Sequence, residues 1–301
     1  CGTWHTGRMR SRLLVHAIVI LSLSWWFLNG SSWASLLPLA AGPAWRHCRA
    51  AQTTSLRVAE IDALSDGLDL AALDIQEGKF WERVDISLGP NKGNLSMLSQ
   101  RQTEEENADI EKLRNGGEAA MDELKQKYGG RFAGAGNGWC VWPSSTFMAQ
   151  FLVQCPSFVK GKSVVEVGCG VGLGGIAAVK AGAERVWMMD KDSVALQVAA
   201  LNAKDNDVAD RISILGLDWT RSDSWPDPLP ACDVIIGSDI LFNIDALKGL
   251  VEFGSKLLPD DGRFLLCDPR QRMFRPMFQQ VCVGAGMEYG VLVETQDMIL
   301  L

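Results

Sequence analysis

Between positions 164 and 172 the chain reads Val-Val-Glu-Val-Gly-Cys-Gly-Val-Gly. Glycines at 168, 170 and 172 let a backbone turn tightly and approach a ligand with no Cβ in the way. Glu166 puts a carboxylate on the approach to that turn. Three further acids each follow an apolar run: Asp190 after Val-Trp-Met-Met, Asp218 within Gly-Leu-Asp-Trp, and Asp239 within Gly-Ser-Asp-Ile-Leu-Phe. This set suits a nucleoside-bearing ligand. Asp190 can accept both ribose hydroxyls, Asp218 can accept from an adenine amino group, and Trp219 can flank the ring. Ser238 and Asp239 then fall where the next loop meets the reactive end of the ligand.

Gly170-Val171-Gly172-Leu173-Gly174-Gly175 also satisfies the dinucleotide pattern, with Asp190 downstream. Glu166 argues against that alternative, because a carboxylate beside a pyrophosphate repels it. A sulfonium cofactor carrying an amino acid has no phosphate and brings positive charge, so it tolerates the carboxylate. Plainer readings stand beside these. Asp190 can be a turn residue or a helix cap, a role open to Asp192 as well. Asp218 can be a turn acid, and Trp219 and Trp142 can be core.

The elements that must position these groups follow from periodicity. Apolar runs at 163–167, 185–189, 212–215, 233–237, 263–267 and 288–293 predict strands. Helical patterns at 173–181, 193–205, 245–258 and 271–285 lie between them. The alternation implies an α/β, doubly wound, mostly parallel Rossmann-like sheet with helices on both faces. The polar motifs then sit at strand ends, where such a sheet holds its ligand. Upstream, 80–88 and 95–98 predict a hairpin about the Gly89–Gly93 turn. Residues 102–127 form a charged helical or disordered insertion, and Gly129–Gly138 a flexible joint. Three regions result: 1–50, a targeting leader or anchor; 51–138, an extension carrying the hairpin and insertion; 139–301, the catalytic domain.

The net charge of −7 over 301 residues shows no basic stripe, so no nucleic-acid partner is expected. The eight cysteines make no C-x-x-C pair and only three histidines occur, so no metal is expected. Cys169, Cys267 and Cys282 fall in apolar runs and are expected as buried free thiols. The segment from Leu13 to Trp45 contains no Asp, Glu, Lys or Arg. With Met9 as a start, it has the layout of a signal peptide or organelle leader, and a membrane contact through 13–37 is the alternative.

The glycine motif and the acids after later strands together resemble the class I, seven-strand S-adenosylmethionine-dependent methyltransferases, and Val141-Trp142-Pro143-Ser144 resembles a segment of one group among them. The closer resemblance is to methyltransferase family 16, the lysine-methyltransferase-like group. That group has Gly-Lys before its first strand (here Gly161-Lys162) and an Asp-x-x-Tyr/Phe motif (here Asp239 to Phe242). Asp268-Pro269 resembles the electron-transfer-flavoprotein β-subunit branch, although Arg270-Gln271-Arg272 departs from its Gly-Arg. The resemblance implies S-adenosyl-L-methionine as cofactor, held by Trp142, Glu166, Gly168, Gly170, Gly172, Asp190, Asp218, Trp219 and Ser238. It implies transfer to a protein lysine, by a monomer, with arginine or a small molecule as alternative acceptors. Asp239 is expected to hold the incoming amine, with Trp142 and Phe242 walling its channel through cation–π attraction. An NAD-linked oxidoreductase and a non-catalytic interaction module remain as rivals. A plastid or mitochondrial interior reconciles the leader with the free thiols, and a cytoplasmic location follows if the N-terminus is an artefact of the gene start.

Overall fold

The computed structural model describes residues 81–101, 138–241, 244–272 and 274–301. The leader, the charged insertion, the 129–137 part of the glycine joint and Phe242 lie outside the described residues.

Two antiparallel strands, β1 (Trp81–Ser87) and β2 (Asn94–Gln100), form the expected hairpin. Helix α1 (Pro143–Gln154) follows. Then come β3 (Ser163–Val167), α2 (Leu173–Lys180), β4 (Arg185–Asp190), α3 (Ser193–Asp205), β5 (Ile212–Gly216), β6 (Val234–Ser238), α4 (Ile244–Leu257), β7 (Arg263–Pro269) and α5 (Arg275–Gly284). Strands β8 (Val293–Glu294) and β9 (Met298–Leu300) end the chain. The main sheet has seven strands in the order β5-β4-β3-β6-β7-β9-β8. Its first five are parallel, and β9 runs antiparallel to both β7 and β8. The order reverses between β3 and β6, and a doubly wound sheet opens its ligand crevice at the carboxyl side of such a switch.

Both faces of the sheet are covered. One core joins α1, α2, α3 and the hairpin to side chains such as Val164, Met188 and Ile236. The other joins α4 and α5 to Val165, Val167, Met189 and Ile235. Neighbouring residues of one strand thus enter opposite cores, as strand alternation requires. Burial on both faces explains why these strands read as unbroken apolar runs.

Two expectations change. Strand 288–293 shrinks to Val293–Glu294. Gly286 takes φ 81°, and Tyr289 packs edge-on against Phe278 rather than pairing. Helix α1 has no counterpart among the expected helices, although Pro143 in its first turn and apolar positions 147, 148, 151 and 152 mark it.

The hairpin is not a detached extension. Leu95, Met97 and Leu98 enter the same core as α1 and α2. Two asparagines one turn apart, Asn202 on α3 and Asn206 at its C-cap, bind the edge of β2. Asn202 Oδ1 accepts from Leu98 N–H at 2.6 Å, and Asn202 Nδ2 donates to Leu98 O at 3.1 Å. Asn206 repeats the exchange with Ser96, at 3.2 and 2.8 Å. Asn202 Nδ2 also donates to Val171 O at 2.9 Å, which ties the hairpin to the glycine turn.

Candidate active site

The glycine turn leaves β3 with Gly168, Gly170 and Gly172 at φ 62°, 51° and 86°, a region that L side chains rarely adopt. Space is equally limiting. A Cβ on Gly168 would lie 2.8 Å from Ile240 Cγ2, and one on Gly172 2.8 Å from Met188 Sδ. A Cβ on Gly170 would lie 2.9 Å from the Gly138 carbonyl oxygen. The turn is therefore walled by Ile240, Met188 and the backbone of residue 138, and presents its own backbone to the crevice.

Glu166 does not point into that crevice. It shares strand parity with Val164, opposite Met188 and Ile236 in the register, so it projects beneath α2. There Oε2 accepts from Gly175 N–H at 2.8 Å, and Gly174 N–H also bonds to the carboxylate. A Cβ on Gly174 would overlap Glu166 Oε1, so the glycine pair makes room for this side chain. Burial pushes the carboxyl up to about 8, against the pull of these two N–H groups, with Asp190 adding a like charge. The residue expected to face the cofactor is a buried acid seated on the N-terminus of α2.

Asp190, at the end of β4, does face the turn. Its Oδ2 accepts from Gly170 N–H and its Oδ1 from Asp192 N–H, both at 3.0 Å. Burial raises its carboxyl, and the Asp192 and Gly170 N–H groups oppose the rise. Each carboxylate oxygen still has a lone pair for a hydroxyl donor. The helix-cap alternative goes to Asp192, whose Oδ1 accepts from Val194 N–H at 2.8 Å and Ala195 N–H at 3.2 Å. Its Oδ2 accepts from Trp139 Nε1–H at 3.1 Å. Trp139 stacks on Trp81 of the hairpin, and its carbonyl accepts from Gln100 N–H at 2.8 Å. Gly138 and Trp139 thus form a strap from the hairpin onto the glycine turn. From sequence Gly138 falls in a flexible joint; the signal for a strap is a glycine beside a tryptophan just upstream of the Trp-Pro motif.

Asp218 sits beyond β5 in an Asx turn. Its Oδ1 accepts from Thr220 N–H at 2.9 Å and from the Thr220 hydroxyl at 2.6 Å. Slight burial is outweighed by those bonds and by the Lys191 and Arg221 charges, which hold the carboxyl below its usual range. Trp219 is buried, and its ring edge would be 3.4 Å from a Gly168 Cβ, while Nε1–H donates to Ala246 O at 3.1 Å. It walls the turn from inside the core. Trp142 takes the N-cap position of α1 and is half-buried, its carbonyl accepting from the Ser145 hydroxyl at 2.7 Å.

Ser238 ends β6 beside the glycine turn, since Val167 and Gly237 are partners in the register. Asp239 follows at φ 58°. Its carboxylate is ion-paired with Arg272 Nη2, and Arg272 Nε donates to Asp268 Oδ1 at 3.3 Å. Asp268 is fully buried and also accepts from Leu241 N–H at 3.3 Å. Burial raises its carboxyl, while Leu241 N–H and Arg275 oppose the rise. Neither Arg272 nor Asp268 has a role assignable from sequence, because they lie about 30 residues beyond Asp239 and meet it only through β6–β7 pairing.

The thiols of Cys169, Cys267 and Cys282 are buried and free, as expected. Among the described residues no group of three His, Cys, Asp or Glu side chains is placed to hold a metal ion. No helix among them is long and apolar enough to cross a membrane.

The crevice therefore offers a backbone cradle at 168–172, a carboxylate at Asp190 and an ion-paired cluster beyond β6. Residues 130–280, half of the chain, match the model of a family described as lysine methyltransferase. A histone-arginine methyltransferase, METTL23, of Rattus norvegicus is 32% identical over 116 residues, covering 38% of this chain and 51% of that protein. The Homo sapiens electron transfer flavoprotein beta subunit lysine methyltransferase is 27% identical over 162 residues, covering 53% and 59%. Among solved structures, a T. thermophilus 16S rRNA N2 G1207 methyltransferase in complex with AdoMet and guanosine aligns with TM-score 0.49 at 15% identity, covering 74% of this chain and 50% of that one. The chain spans about half the length of the first curated relatives it matches.

Proposed function

The chain belongs to the lysine methyltransferase family, and from that premise we propose that it transfers a methyl group from S-adenosylmethionine to a lysine side chain of a protein. One observation carries the choice of cofactor. In a dinucleotide site the N–H groups opening the helix after the glycine turn receive the pyrophosphate. Here Gly175 N–H, with Gly174 N–H beside it, is already given to Glu166. The seat is filled by the protein's own carboxyl group, which takes these N–H groups from a phosphate-bearing cofactor and leaves the cradle suited to one without phosphate. Glu166 thus supports the reading by occupying the helix terminus rather than by facing the ligand.

The residues suited to hold the nucleoside are the 168–172 backbone and Asp190, whose oxygens retain lone pairs for ribose hydroxyls. When bound, S-adenosylmethionine supplies an electrophilic methyl on a positively charged sulfur. The chain's own task is then alignment of a neutral nucleophile, the kind of entropic work that positioned side chains perform. Asp239 lies past β6, next to the cradle, where a carboxylate can draw an ammonium in and orient the free amine left once its proton has passed to solvent. Trp142 and Phe242 remain proposed channel walls.

A guanidinium acceptor is the second reading, favoured by the fit of Arg272 on Asp239. Labelled S-adenosylmethionine incubated with the protein and a cell lysate tests both. A labelled protein band that yields methyl-lysine on hydrolysis supports the first, methyl-arginine the second, and label only in small molecules sinks both. We place the protein as a monomer in an organelle interior, with 1–50 as its leader; diffuse cytosolic signal from a reporter fused to residues 9–60 would count against that placement.

A further inference from the structure

The carboxylate proposed to receive the acceptor already holds a cation from its own chain. Asp239 and Arg272 are paired with side chains only 9% and 13% exposed, so this is an enclosed contact and not a surface bridge. Arg272 spans two acids, because its Nε also reaches Asp268 Oδ1 at 3.3 Å. Its backbone is pinned: Arg272 N–H donates to Pro269 O at 3.0 Å, and Arg272 O accepts from Arg275 N–H at 3.3 Å. Any exchange must therefore be a rotation of the side chain.

We propose that Arg272 is a built-in competitor for the acceptor's cation, and that an acceptor ammonium takes Asp239 only as the guanidinium shifts wholly onto Asp268. This rests on the reading of Asp239 as the acceptor's carboxylate. Three physical points carry it. A guanidinium cannot shed its proton in a protein, so it cannot vacate Asp239 by becoming neutral. An ammonium arriving at an occupied carboxylate meets a like charge at close range in a poorly solvated place. Leaving Arg272 with no acid would strand a charge, and Asp268, already touched by Nε, removes that cost because the planar fork can pair both of its edges. Arg272 is accordingly a specificity-determining residue. It rejects weakly held amines and admits an acceptor whose other contacts offset the exchange.

The test uses the full chain with S-adenosylhomocysteine present and n-butylammonium, a lysine side-chain mimic, as the probe. Its binding is read by NMR titration for wild type, Arg272→Met, and Arg272→Met combined with Asp239→Asn. Affinity is expected to rise at least tenfold in Arg272→Met and to fall back in the double variant. Equal affinity in wild type and Arg272→Met, a gain that survives Asp239→Asn, or no binding to any of the three would each overturn the proposal. Should Arg272→Met fail to fold, Arg272→Lys keeps a cation for Asp268 with shorter reach, and its affinity must still exceed that of wild type. Failure of the proposed reaction is read separately: it shows as absence of methyl transfer to any protein, whereas failure of the competition shows only in the order of these affinities.

Discussion

Replacing Asn202 by alanine should cost about 3–5 kcal/mol of stability and also weaken cofactor binding. The first figure follows from what the substitution strands. Asn202 is fully buried, and it serves Leu98 N–H, Leu98 O and Val171 O. Alanine leaves one donor and two acceptors without partners. A buried group so orphaned costs about 1–3 kcal/mol, with carbonyls toward the low end because under-satisfied acceptors are better tolerated. Asn206 provides the internal control. It makes the same two-way exchange with Ser96 but is 7% exposed, and Ser96 is half-buried. Water can replace its amide, so Asn206→Ala should cost about 1–2 kcal/mol. Urea unfolding at an unchanged slope gives both numbers. Calorimetric titration with S-adenosylmethionine gives the second effect, expected for Asn202→Ala alone because only Asn202 tethers the glycine turn. Equal losses in the two variants, or a loss below about 1 kcal/mol for Asn202→Ala, would refute the burial argument. Unchanged cofactor affinity in the folded Asn202→Ala protein would refute the coupling of hairpin to turn.

Glu166 makes a pH prediction. Its folded-state carboxyl is pushed up to about 8, above the ordinary value near 4.5, so the folded chain holds a proton that the unfolded chain has lost between those limits. Stability should therefore fall as pH rises from about 4.5 to about 8, by at most about 1.4 kcal/mol per pH unit from this group. Glu166→Gln should flatten the slope measured by urea unfolding, though not abolish it, because Asp190 is raised as well. Gly174→Ala should lower the melting temperature sharply, since its Cβ would overlap Glu166 Oε1. Overpacking of this kind costs about 1–3 kcal/mol. Adding Glu166→Ala should restore part of the loss, and strictly additive effects in that cycle would sink the steric explanation.

Legibility of the sequence follows the range of the forces involved. Strands β3 to β7 and helices α2 to α5 are visible because burial on both sheet faces writes continuous apolar runs between amphipathic stretches. The hairpin is visible because alternation and a glycine turn are local. The glycine turn reads correctly as a close-approach backbone, and Asp190 as a group facing it. Glu166 is misdirected by its place beside the turn, although its strand parity with Val164 points beneath α2. The Arg272–Asp239 pair is not legible. It joins loops after two different strands, and only the β6–β7 register brings them together. The Gly138–Trp139 strap is hidden for the same reason, since its partners lie in the hairpin and at Asp192.

The residues most readily taken as ligand contacts also hold the site together. Asp190 bonds Gly170 N–H, Trp219 and Ile240 fill the space beside Gly168, and Asn202 fixes the carbonyl of Val171. Loss of activity on changing any of them is therefore ambiguous between lost ligand contact and a displaced turn. The ambiguity can be resolved at Asp190. Asparagine there keeps one oxygen for a backbone N–H but turns the other acceptor into a donor, facing either Gly170 N–H or Asp192 N–H. If Asp190 acts only as scaffold, Asp190→Asn should destabilise the fold and leave the affinity of the remaining folded protein for S-adenosylmethionine near wild type. If its free lone pairs receive the ribose, affinity should fall more than tenfold even where the protein is fully folded. The second outcome is the one expected, because each Asp190 oxygen receives only one backbone N–H and keeps a lone pair beside the turn where the nucleoside is proposed to sit.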